Sequence, residues 1–89
     1  MVTIKSSKPV EKIKEGDKIK VDSLSLVVDK HYILIDHGST KEMTIELFNP
    51  KTEKEYQLRY FSDNVKESIQ LFQLDEIIYN KINIEKIEW

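Results

Sequence analysis

His31 and His37 are the only imidazoles in this 89-residue chain, and they set the first limit on its chemistry. Both fall on one predicted strand, where six residues at about 3.3 Å each hold them roughly 20 Å apart, too far to share a metal ion. The chain has no cysteine, so disulfides, thiolate nucleophiles and sulfur-ligated zinc are excluded. Asp36, His37 and Ser39 have the residue types of a hydrolase triad. A nucleophile, its base and the orienting acid must converge from different elements, however, and consecutive residues at a turn do not do so. Gly16 and Gly38 are the only glycines, which removes the glycine-rich loops that cradle phosphates and dinucleotides. The expectation is a non-enzymatic chain with no metal and no cofactor.

Binding chemistry is better represented. Lys12, Lys14, Lys18 and Lys20 alternate with Ile13, Ile19 and Val21, so these lysines can line the outer face of a first hairpin and meet a phosphate backbone. A solvated surface is the plainer reading, since the net charge is −2 and charged residues are in near balance. Arg59 is the single arginine beside 13 lysines and is flanked by Tyr60 and Phe61. It suits a stacking or bidentate contact, or more simply an ion pair with Glu46 across a hairpin. Phe48 and Phe61 fall on one face of that hairpin, opposite Met43, Ile45, Leu47, Tyr56, Leu58 and Tyr60. If one set is core, the other is either an interface anchor or covered by a C-terminal segment carrying Phe72 and Trp89.

Length bounds what can position these groups. Eighty-nine residues hold one core, and a deep water-excluding cleft would consume much of it, so a site on an outer face or a sheet edge is expected. Charge is uneven along the chain. Residues 1–20 carry six lysines against Glu11, Glu15 and Asp17, whereas residues 61–89 carry three lysines against six carboxylates. The longest apolar runs, Leu26–Val28 and Tyr32–Ile35, fall far short of the roughly 20 residues that cross a bilayer, and no signal-peptide run opens the chain. A cytoplasmic or host-cell cytoplasmic location without membrane contact is expected.

The element pattern is β. Alanine is absent and the β-branched residues number 22. Val2–Lys5 and Lys18–Val21 alternate as short strands, the second entered through Glu15-Gly16-Asp17. Inward parity changes at Asp22-Ser23, read as a bulge or a bend, and a tight connection at Asp29-Lys30 leads into a strand over His31–Asp36. Asn49 to Lys54 is a strong turn between strands ending at Phe48 and resuming near Tyr56. Residues 62–79 are ambiguous. Ser62-Asp63-Asn64 can cap a helix bearing Val65, Ile69 and Phe72, but the chain favours extension from about Ser68. Ile82 and Ile84 follow as a last strand.

The combined expectation is a single mainly β domain over residues 1–89, a small antiparallel barrel or sandwich of the SH3-like or OB-like kind, with one short helix near residues 63–74. Its expected role is a protein-binding module, an accessory subunit or inhibitor that docks on a larger protein through Phe48, Arg59 and Phe61. The alternative is a nucleic-acid-binding barrel using the four N-terminal lysines.

Overall fold

The computed structural model describes residues 2–89. Eight strands form one sheet: β1 (Thr3–Lys5), β2 (Lys18–Val21), β3 (Leu24–Asp36), β4 (Lys41–Phe48), β5 (Glu55–Phe61), β6 (Gln70–Asp75), β7 (Ile78–Ile82) and β8 (Lys86–Glu88). Their spatial order is β1-β8-β2-β3-β4-β5-β6-β7. A 3-10 turn at Val10–Lys12 and the one-turn helix α1 (Val65–Ser68) complete the elements. The sheet curls around its core without closing, so the mainly β expectation holds as a half-barrel with β1 and β7 as its edges. It is not antiparallel throughout, because β1 and β8 pair in parallel, Thr3 beside Lys86 and Lys5 beside Glu88.

Two local readings exchange places. Asp22-Ser23 is a two-residue hairpin turn rather than a bulge. Val21 pairs with Leu24 across it, and Asp22 takes a φ of 51°, which an aspartate tolerates better than most residues. The Asp22 carboxylate accepts the amide of Lys86 at 3.0 Å, tying this turn to β8. Bulges lie instead at Asp29 and Leu34, within a strand that runs unbroken from Leu24 to Asp36; pairing with β4 skips from Val28 opposite Leu47 to Lys30 opposite Glu46, and again from Ile33 opposite Met43 to Ile35 opposite Glu42. Either device changes side-chain parity, which is why alternation alone did not separate them.

The β4–β5 hairpin forms as its sequence requires. Asn49 accepts the Lys51 amide through its side chain at 2.9 Å, and Glu53 enters the left-handed region at φ 64° to bring the chain back. Ile45, Leu47, Tyr56, Leu58 and Tyr60 share its first face and are buried with Ile19, Val21, Leu26, Val28, Leu71 and Ile87. Each such aliphatic side chain contributes about 1.5–3 kcal/mol by leaving water. The ambiguous segment resolves into both elements: α1 ends at Ser68, and β6 pairs Leu71 with Leu58. Ser68 closes the junction by accepting the Phe61 amide and donating to the Asn64 carbonyl.

Candidate functional site

The face of the β3–β7 sheet opposite the core, called the second face here, carries the side chains that alternate out of it. Across the strands, Tyr32, Thr44, Arg59 and Gln70 form one row, and Lys30, Glu46, Gln57, Phe72 and Lys81 the next. This face is only partly wet. Thr44 and Gln57 are buried on it, and Arg59, Phe72 and Leu74 are half-buried.

Arg59 is the centre of the arrangement. Its guanidinium carbon lies 4.5 Å from the centroid of the Phe72 ring and 5.5 Å from that of Tyr79, and its Nε donates to the Gln57 side-chain oxygen. β5 supplies the arginine, while β6 and β7 supply the two rings. A cation over aromatic faces is attracted by the ring quadrupole and loses little in hydration, because guanidinium is weakly hydrated. The ion pair with Glu46 does not form. The ion pairs among the described residues are Lys5–Glu88 and Lys8–Asp17, and His37 lies beside the Glu42 carboxylate. Glu46 stands directly opposite Gln57, diagonal to Arg59, and the guanidinium turns instead toward β6 and β7.

Glu46 acts elsewhere. Burial and then the nearby Glu46 carboxylate push the Tyr32 hydroxyl above its ordinary pKa, and Tyr79 across the face adds to the shift while Arg59 opposes it. Tyr32 on β3 and Tyr79 on β7 thus share the second face, on strands at opposite sides of Arg59. Beside them a shallow depression is lined by Phe48, Pro50, Leu74 and Tyr79 together with Asp29 and Glu46.

Phe48 and Phe61 do lie on the same face as Arg59, but at opposite ends of the hairpin. Phe48 pairs with Glu55 and Phe61 with Glu42. Neither stacks on the arginine. Phe48 is half-buried in the depression, whereas Phe61 stays exposed, its ring 6.0 Å from that of His37. The covering segment contributes Phe72 but not Trp89, whose indole donates to the Lys8 carbonyl at 2.8 Å and packs against the core from the β8 side.

The four lysines do not make one stripe. Lys12 closes the 3-10 turn and Lys14 lies in the loop after it, beside a groove formed with His31 and Tyr32. The turn at Gly16, φ 90°, then reverses the chain, so Lys18 and Lys20 on β2 flank a different groove with Trp89 and Glu88.

The histidines are equally separate. His31 points to the core face, where Nδ1 lies 2.8 Å from the Ile13 carbonyl and Nε2 lies 2.7 Å from the Tyr60 hydroxyl. His37 is exposed, 3.8 Å from Glu42, and the Asp36 carboxylate accepts the Gly38 amide rather than orienting the imidazole. Among the described residues, no cluster of three histidines or carboxylates is placed to hold a metal. No helix among them is long and apolar enough to cross a membrane.

Thr44, Gln57 and Tyr79 are the site members that residue types alone do not single out, and Phe72 is foreseen only as part of a covering segment. For Thr44 and Gln57 the signal was present as hairpin alternation. Phe72 and Tyr79 lie in the segment whose period is mixed. No protein-family model matches this chain, and neither the curated proteins nor the solved structures give a match to it.

Proposed function

We propose that the chain is a non-enzymatic protein-binding module, an accessory subunit or inhibitor that docks on a larger protein through its second face. One observation carries the reading: Arg59 is held between Phe72 and Tyr79 without an ionic partner among the described residues. Arginine and aromatic residues dominate the energetic centres of protein interfaces, and a side chain already fixed loses little entropy when a partner arrives. Tyr32, Ile35, Phe61 and Tyr79 are large, apolar and exposed around it, a patch of the kind that marks interaction sites. A cytoplasmic setting suits a cysteine-free chain with this balance of charge.

The test is affinity capture from the native host with the immobilised chain and its Arg59→Ala and Phe61→Ala variants. A protein retained by the wild type and lost at least tenfold from Arg59→Ala, with circular dichroism unchanged, supports the reading. Equal retention by all three overturns it.

A second reading, a nucleic-acid-binding half-barrel functionally akin to SH3-like or OB-like barrels, is favoured by the groove where Lys18 and Lys20 flank Trp89. Glu88 in the same groove and the net charge of −2 count against it. A shift of single-stranded DNA or RNA at low salt that vanishes at moderate salt supports this reading, and no shift at low salt removes it.

A further inference from the structure

The two edges of the sheet are unlike. β1 is three residues long, ends in Lys5 and is followed by Lys8 and Pro9, the short, charged, proline-bounded kind of edge that resists further pairing. β7 is five residues long, has β6 as its one neighbour and carries a single charge, Lys81. At its start stand the two most exposed large apolar residues among the described residues, Ile77 at 92% and Ile78 at 61%. Ile77 sits at a two-residue turn whose first member, Glu76, has a φ of 59°, a place where a polar residue or glycine would serve the turn better. An open ladder of amides and carbonyls beside exposed isoleucine is a template for another strand.

We propose that this edge pairs with a second copy of the chain, β7 against β7, antiparallel about a two-fold axis through Asn80. The sequence of β7 is complementary to itself in that register. Ile78 of one copy stands opposite Ile82 of the other, Tyr79 opposite Lys81, and Asn80 opposite its own counterpart. All five residues pair and no like charges meet. Because the axis is perpendicular to the sheet, faces are preserved: Ile78, Asn80 and Ile82 continue the core face, and Tyr79 and Lys81 continue the second face. The lysine that would guard a lone edge lies over a tyrosine ring instead. The two half-barrels become one sixteen-stranded sheet, with the Arg59 sites on the same face of the pair.

The test is light scattering and sedimentation of the full chain over a concentration series, with Asn80→Lys and Asn80→Glu variants. Asn80 is exposed, so both variants keep the fold, and unchanged circular dichroism checks that. The wild type is expected to approach twice the monomer mass and to gain amide-exchange protection at Tyr79–Lys81 as concentration rises. Each variant alone places like charges at the axis and is expected to stay monomeric, while an equimolar mixture of the two regains the dimer. A monomeric wild type at every concentration overturns the proposal. So does a dimer insensitive to both variants, or open-ended oligomers protected at residues 32–36 of β3. None of these outcomes depends on the Arg59 reading, which host capture tests separately.

Discussion

His31 on β3 holds the Tyr60 hydroxyl of β5 at 2.7 Å from its Nε2. Its other nitrogen, Nδ1, faces the Ile13 carbonyl at 2.8 Å, and a carbonyl can only accept, so Nδ1 carries the proton. Nε2 is left facing the Tyr60 hydroxyl. One imidazole thus ties β3 to β5 and to the loop that precedes β2, and both its nitrogens are spent in doing so.

The buried Tyr60 hydroxyl sets an alkaline limit on stability. Burial, with a smaller contribution from Glu11, pushes the Tyr60 hydroxyl up to about 12 from its ordinary 10.0. A folded-state value above the unfolded one means that the neutral phenol favours the fold. The contribution is complete below pH 10 and is lost as pH rises toward 12. Tyr60→Phe is expected to cost about 1 kcal/mol at neutral pH through the lost hydrogen bond, and then to lose less stability than the wild type between pH 10 and 12. Urea unfolding at several pH values checks both effects.

Thr44 carries the opposite kind of strain. It is 0% exposed, and its Oγ1 has no hydrogen-bond partner among the described residues. A hydroxyl taken out of water without a partner costs about 1–3 kcal/mol. Thr44→Val keeps the shape and the β-branch while deleting that cost, so it is expected to raise the urea midpoint by about 1 kcal/mol of stability with an unchanged slope. A lowered midpoint would show that the hydroxyl is satisfied in solution.

Asp22 combines two demands in one residue. It takes the left-handed conformation of the β2–β3 turn, and its carboxylate meets the amides of Lys86 and Glu85 from β8 and the residue before it. Asp22→Ala loses both the tolerance for positive φ and the acceptor, and is expected to cost about 2 kcal/mol. Asp22→Asn keeps both in large part and should cost less than half of that. Thermal melts of the two variants beside wild type decide; equal losses would mean that the charge alone matters.

The parts of the fold legible in the sequence are those with one clean period. Met43 to Phe61 alternates without interruption around a strong turn, and both its core face and the side of the sheet that carries Arg59 follow from that alternation. β3 was not legible as one strand, because Asp29-Lys30 has the composition of a turn while only backbone pairing to β4 shows the chain running on. The rings that hold Arg59 were hidden for a related reason. Phe72 fits a helical and an extended spacing equally, and the helix stops at Ser68 because the ladder to β5 begins at Gln70. Pairing between distant segments, β1 with β8 above all, leaves no mark in local pattern.

The extra residue at Asp29 makes sidedness in β3 a matter of arithmetic. Before it, even-numbered residues such as Leu26 and Val28 enter the core; after it, odd-numbered ones such as His31 and Ile33 sit opposite Ile45 and Met43 on that same face. In a regular strand of the same sequence, Tyr32 would meet Tyr60 and Ile13, and His31 would stand over Arg59. His31 in the internal clasp and Tyr32 on the outward face thus owe their sides to that single count, a second skip at Leu34 returns Ile35 to the outward face, and neither histidine nor tyrosine chose its side by its own chemistry.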